Sequence, residues 1–193
     1  LASALAMNKS LTEQILKKHG VRMPESVVFG PGEDDVRSVV AFSPPPWIVK
    51  PRSRGSSVGV SKVRNMRELP SALASARKYD SHVIVQEYIE GREITCGVLE
   101  RFEERLLTAL APIEIVPPEG ADFFDYQVKY NGRTKEICPA DFHGAMRAKI
   151  AETALLVHRA LGLRHYSRTD MILKPPSKTR RAPELFVLEV NTL

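Results

Sequence analysis

Cysteine is scarce in this chain, with two among 193 residues. That excludes a disulfide scaffold and leaves too few thiolates for a cysteine-based zinc site. Long apolar runs are missing as well: none approaches the roughly 20 residues that span a bilayer, so no transmembrane helix is expected. There is no cationic tail. The 28 Lys and Arg are interspersed with 23 Asp and Glu, for a net charge of +5, which admits a phosphorylated ligand, nucleic acid or an anionic membrane without selecting one. The five histidines show no ligand spacing, Cys96 and Cys138 have no evident base partner, and no Gly-x-Ser-x-Gly elbow is present. A hydrolase triad and a thiol nucleophile are therefore disfavoured. No internal repeat occurs at solenoid periods. What is present, 43% hydrophobic and 26% charged residues, is the balance of a globular protein able to bury a core.

The chain opens Leu1-Ala2-Ser3-Ala4-Leu5-Ala6, which lacks the basic start of a signal peptide and runs into an amphipathic helix. It reads as the interior of a longer chain. Ser10-Leu11-Thr12-Glu13 forms a capping box for a helix closed by Gly20. Strands are expected at 26–29, 47–50, 58–63, 82–88, 93–101 and 106–116; residues 37–42 are ambiguous. Asn65, with Glu68 as return partner, is expected to cap a helix to about Tyr79, and Asp141 another ending at Gly162. Residues 117–139 read as a long loop, and 166–173 and 184–191 as a hairpin with a basic, Pro-rich connection. Strand runs with segregated helices and hairpin connections predict an α+β fold with antiparallel sheets, in two lobes.

Three clusters carry candidate chemistry. Lys50 ends a compact apolar strand and precedes Gly55-Ser56-Ser57-Val58-Gly59. Backbone N–H groups and hydroxyls of such a loop can cradle phosphate, and a flexible hairpin would have the same composition. It matches neither a Walker loop nor a dinucleotide fingerprint. In Gln86-Glu87-Tyr88-Ile89-Glu90-Gly91-Arg92-Glu93, a carboxylate could receive a ribose, although a solvated charged turn reads the same way. Near the end, Arg168 and Asp170 alternate on one strand, and Glu189 and Asn191 on its expected partner. Alternation puts them on one sheet face, with Met171, Leu188 and Val190 on the other. Two carboxylates and an amide beside a single Arg leave surplus negative charge, which suits Mg²⁺; a cross-strand salt-bridge cluster is the competing reading.

In this order and spacing the motifs resemble those of the ATP-grasp enzymes, and within them the D-alanine–D-alanine ligase family. The resemblance rests on Trp47-Ile48-Val49-Lys50-Pro51 with the Gly55–Val60 loop, Gln86-Glu87-Tyr88-Ile89 with Gly91-Arg92-Glu93, Tyr126-Gln127-Val128-Lys129-Tyr130, Ser167-Arg168-Thr169-Asp170, and Leu188-Glu189-Val190-Asn191-Thr192. It implies an ATP-grasp fold in which residues 1–20 are a linker helix from an absent amino-terminal lobe, 21–88 a central lobe and 89–193 a truncated carboxy-terminal lobe. It implies that Lys50 contacts ATP phosphate with Ser56 and Ser57 beneath the phosphate loop. Glu87 would bind ribose, and the Tyr88 and Ile89 backbone would meet adenine. Asp170, Glu189 and Asn191 would hold Mg²⁺, with Mn²⁺ as a substitute, and Arg168 and Lys129 would steady phosphate charge. Tyr130, Glu93 and Ser56 would form a hydrogen-bonded lock, the phenol of Tyr130 favouring an amine as second substrate. The implied activity is cytoplasmic ATP-dependent joining of two D-alanines through an acyl phosphate, for peptidoglycan synthesis. The implied partners are small molecules, without nucleic acid or membrane, in a homodimer of the complete protein; turnover by the truncated chain alone is not expected. The alternatives are another ATP-grasp carboxylate–amine ligase, a non-catalytic nucleotide-binding module, and a basic nucleic-acid binder.

Overall fold

The computed structural model describes residues 2–33, 35–102, 104–118 and 134–192, the side chains of Val40 and Phe42 excepted. The expected Tyr126–Tyr130 motif, with Lys129 and Tyr130, lies outside the described residues. The chain forms two compact units. One contains Pro24–Ile89 with the described residues of 117–134; the other contains the described residues of 1–23, 90–116 and 135–193.

The first unit is a four-stranded antiparallel sheet, in the order β1 (Ser26–Phe29), β4 (Val83–Glu87), β2 (Trp47–Pro51), β3 (Ser61–Val63). Trp47 and Val49 on β2 and Val83 and Val85 on β4 alternate inward, onto Leu69, Leu73 and Ala76 of helix α4 (Leu69–Arg77). Each fully buried Val or Leu side chain contributes about 1.5–3 kcal/mol of apolar transfer. The indole N–H of Trp47 donates to the Ser43 carbonyl at 3.0 Å, so its burial leaves no orphan donor. Residues 37–42, ambiguous in sequence, form the short helix α3 (Arg37–Phe42). Asn65 is not the cap of α4 as expected, because the helix starts later and Glu68 takes the cap position, without a side-chain cap bond; Asn65 and Glu68 instead work as a pair. They bond to each other (Asn65 Nδ2–Glu68 Oε1, 2.6 Å) and accept from the Arg67 and Arg64 amides, which makes a bonded turn ahead of the helix.

The second unit is a six-stranded antiparallel sheet. Its path runs β10 (Glu184–Asn191), β9 (Tyr166–Lys174), β5 (Arg92–Phe102), β7 (Ile113–Val116), β8 (Lys135–Ile137). The expected single strand over 106–116 is two, because β6 (Arg105–Ala109) and β7 pair with different stretches of β5, on either side of Leu110–Pro112. Helix α5 (Gly144–Ala160) covers one face through Met146, Ile150, Ala154 and Val157, against Ile94, Cys96, Val98, Met171, Leu173, Leu185, Val187 and Val190. Its cap is His143, whose ring accepts from the Met146 amide, not Asp141. Asp141 and Phe142 are held outside the helix by Arg92, which donates to the Asp141 carbonyl and lies 4.1 Å from the Phe142 ring centroid.

Helices α1 (Ala2–Met7) and α2 (Lys9–Lys18) pack in this second unit. The α2 cap is Asn8, bonded to the Leu11 amide, so the helix begins ahead of the expected box. Thr12 instead turns its hydroxyl back to the Leu5 carbonyl at 2.8 Å, tying α2 to α1. Gly91 enters β5 so close to β9 that an added Cβ would lie 2.4 Å from the Leu173 carbonyl oxygen. Among the described residues, no helix is long and apolar enough to cross a membrane.

Candidate active site

In the first unit, β2 alternation turns Trp47 and Val49 into the core and Lys50 to the opposite face. There Lys50 Nζ donates to Gln86 Oε1 at 2.8 Å. Gln86 is buried and was not among the predicted residues; a neutral amide in a strand carries no signal at the level of composition. Beyond β2, Ser56 and Ser57 adopt consecutive left-handed conformations (φ 55° and 56°), followed by Gly59 at φ 71°. Such conformations are costly for serine and persist where the surroundings over-determine them. Two tight turns close here, Val58 N to Gly55 O and Val60 N to Ser57 O, which is why the expected strand over 58–63 shrinks to β3. The loop is anchored at its base by Asp80, which accepts from the Ser53 and His82 amides at 2.8 and 3.0 Å. Burial would raise the Asp80 pKa, but these amide bonds and Arg52 outweigh it and hold the carboxyl below its ordinary value. Gly59 packs so tightly on Tyr79 that a Cβ would approach its ring to 2.6 Å. Glu87 ends β4, Tyr88 follows with Lys62 Nζ 4.0 Å from its ring centroid, and Ile89 is buried.

In the second unit, the register builds two rows across β5, β9 and β10. Thr95, Asp170 and Glu189 form one row, and Gly97, Arg168 and Asn191 the next. Ile94, Cys96 and Val98 face α5, so Glu93 and Thr95 share the opposite face with Asp170. A β-bulge makes this face. Val187 pairs with Met171 and Glu189 with Asp170, leaving Leu188 as the extra residue. Plain alternation from Val187 would carry Glu189 and Asn191 to the core side. The expected placement of Leu188 with Val190 on the apolar face is corrected accordingly: Val190 is core, and Leu188 is the half-buried bulge residue.

Asp170 is bonded on both oxygens. Thr95 Oγ1 and Arg168 Nε donate to Oδ1 at 2.7 and 3.0 Å, and Asn191 Nδ2 and Arg168 Nη2 to Oδ2 at 2.8 and 3.2 Å. Burial would lower the Arg168 pKa, but Asp170, Glu189 and Glu136 outweigh it and hold the guanidinium above its ordinary value, fully charged. Glu189 lies 3.8 Å from Lys9 of α2. The expected surplus of negative charge beside a single Arg is thus partly offset by Lys9, while Glu136 adds to it. Thr95, Lys9 and Glu136 were missed. Thr95 was within reach of a period-2 reading that already held Glu93, whereas Lys9 arrives only through helix docking.

The donor chemistry fits a hard divalent cation: two carboxylates and an amide oxygen from adjacent strands. Among the described residues no group of three or more His, Cys, Asp or Glu gathers as a metal cage, so a cation held here would draw its other ligands from phosphate and water. Cys96 is buried in the core, and burial pushes its thiol up to about 11, which keeps it protonated and unreactive. Ser56 lies in the first unit and Glu93 in the second. A cavity of about 440 Å³, lined by Arg22, Lys149, Arg180 and Glu184 among others, contains none of the predicted residues.

Two antiparallel α+β units of this kind, with helices segregated to the sheet faces, define the ATP-grasp class, and the solved structures that resemble the chain are ligases of that class. Within it, the chain belongs to the family described as D-ala D-ala ligase C-terminus, whose profile matches residues 15–193. D-alanine–D-alanine ligases from Syntrophobacter fumaroxidans and Geobacter sulfurreducens are 40% and 38% identical to it, each over 100% of this chain. The chain spans 60% and 57% of the length of those two relatives. The VanG D-Ala:D-Ser ligase of Enterococcus faecalis is similar at a TM-score of 0.84 and 33% identity, over 100% of this chain and 54% of that one. A D-alanine–D-alanine ligase of Bacillus anthracis complexed with ATP is similar at 0.78 and 27% identity, over 100% of this chain and 57% of that one.

Proposed function

We propose that the chain carries the nucleotide and metal chemistry of a D-alanine–D-alanine ligase, a cytoplasmic, homodimeric enzyme that makes D-alanyl-D-alanine for peptidoglycan. The observation that carries this reading is the bulge-built face, where Arg168, Asp170, Glu189 and Asn191 converge on two adjacent strands. It is a charged set without a nucleophile, suited to phosphoryl transfer by positioning and charge neutralisation.

In the first step a D-alanine carboxylate oxygen attacks the γ-phosphorus of ATP, the bond to the β–γ bridging oxygen breaks, and ADP leaves D-alanyl phosphate. In the second, the amine nitrogen of another D-alanine attacks the carbonyl carbon. The C–O bond to phosphate breaks, inorganic phosphate departs, and the nitrogen loses a proton. Lys50, Ser56 and Ser57 bind the ATP phosphates, Glu87 the ribose, and the Tyr88 and Ile89 backbone the adenine. Lys129 steadies the transferring phosphate, and Arg168 the charge that develops on phosphate and on the carbonyl oxygen. The family resemblance assigns Tyr130, Glu93 and Ser56 to excluding water from the acyl phosphate. Asp170, Glu189 and Asn191 would hold Mg²⁺, or Mn²⁺ in its place. When bound, the metal neutralises phosphate oxygens.

Phosphate release from Mg·ATP by the full-length protein, measured with and without D-alanine, tests the reading. D-alanine-dependent release that disappears in Glu189→Gln is expected. Release that ignores D-alanine would remove the substrate assignment, and ATP binding without release would leave a nucleotide-binding module. The likeness to a D-Ala:D-Ser ligase supports a second reading, another carboxylate–amine ligase with D-serine as second substrate; D-serine supplied alongside D-alanine separates the two.

A further inference from the structure

Four hydrogen bonds from three strands hold Asp170, and three of them come from groups with other work in the proposed reaction. Arg168 supplies two, and its guanidinium is to meet phosphate. Asn191 supplies one through its amide nitrogen, while a cation would need its amide oxygen. Each group thus divides its polar atoms between Asp170 and a ligand. Thr95 has no second duty. Its hydroxyl lies 2.7 Å from Asp170 Oδ1, within the range of a short charge-assisted bond. Its backbone is well fixed, because β5 is central and Thr95 is paired with Asp170 on one side and Ile113 on the other. The β-branched side chain is stiff at χ1, so the hydroxyl is held where the strand puts it.

A carboxylate rotates broadly about χ2 unless a neighbour stops it. We propose that Thr95 is a positioning residue for the cation site. Its hydroxyl fixes Asp170 Oδ1, so that Oδ2, the oxygen facing Asn191, stays presented when Arg168 meets phosphate and Asn191 meets the cation. This rests on the cation reading above. Partners of this kind behind a metal ligand are worth about 10–100-fold in metal affinity.

The test is Mn²⁺ binding, followed by electron paramagnetic resonance with a non-hydrolysable ATP analogue present, alongside urea unfolding, on the full chain. Thr95→Val removes the hydroxyl at nearly constant volume, and Thr95→Ala is the second hydroxyl-free variant should valine disturb the strand. Mn²⁺ affinity is expected to fall about tenfold or more in both, and to recover in Thr95→Ser, with the urea midpoint little changed. Wild-type affinity in the hydroxyl-free variants, or no recovery with serine, overturns the proposal. Glu189→Gln separates the two levels. If it abolishes Mn²⁺ binding while Thr95→Val leaves it intact, the Thr95 role alone fails; if it too leaves binding intact, the cation reading fails and takes this inference with it.

Discussion

Lys50 ends a buried strand with its ammonium on the amide oxygen of Gln86, itself almost wholly out of solvent. A lysine ammonium carries three donors, and the bond to Gln86 uses one of them. Lys50→Ala is expected to weaken ATP binding by about 10–100-fold, the worth of roughly 1.5–3 kcal/mol for a bond to a charged group. Calorimetric titration checks this, and the melting temperature should move little. An unchanged ATP affinity with a large loss of stability would reduce Lys50 to a structural residue. At this scale, charged residues beside glycine and serine were legible, because charge and backbone freedom mark a sequence. Gln86 and Thr95 were not, because a neutral polar side chain gains meaning only from the atom it meets.

The element that decides the face around Asp170 is β10, through one extra residue. Leu188 lets Val187 and Val190 both face the core while Glu189 and Asn191 face Asp170 and Arg168. Deleting Leu188 removes the extra residue but keeps the faces, because Val187 and Glu189 already pair with consecutive residues of β9 and alternation then puts Val187 and Val190 inward and Glu189 and Asn191 outward. Cooperative urea unfolding and Mn²⁺ binding are therefore expected to survive the deletion. Loss of Mn²⁺ binding with normal unfolding would show that the bulge itself, and not only the facing it produces, shapes the site. The sequence pattern Leu188-Glu189-Val190-Asn191 looks like simple alternation, so the strand and its polar residues were readable while the bulge was not. Bulges arise from pairing with a neighbour, and no single strand records its register. The start of α5 teaches the same lesson: Asp141 is a good cap in isolation, yet Arg92 holds residues 141 and 142 out of the helix.

Across the molecule, stability is divided between two cores, one under each sheet. His158 is buried in the larger, with Nδ1 2.8 Å from Ser167 Oγ. Burial pushes its pKa below the ordinary 6.5; Glu100 opposes this, and Arg159 and Arg164 reinforce it. The folded protein therefore keeps His158 neutral where the unfolded chain takes up a proton. Stability should fall as pH drops through about 6.5, by up to about 1.4 kcal/mol per pH unit, until the lowered pKa is reached. Urea midpoints at pH 7.5 and 5.5 measure the slope, and His158→Gln, which does not titrate, should flatten it. An equal slope in wild type and variant would assign the pH dependence to other groups.

The sequence by itself determined the α+β class, the main strands, the motif order and the residues on which the family resemblance rests. Those properties follow from local periodicity, charge and glycine placement along one chain. Only tertiary structure decided which carboxylate meets which donor, where the bulge turns β10, and that Thr95, Gln86, Lys9 and Glu136 border the predicted groups. Each of these depends on a second strand or helix docking beside the first. Pairing register and helix docking are set by the packing of the whole core rather than by neighbours in sequence.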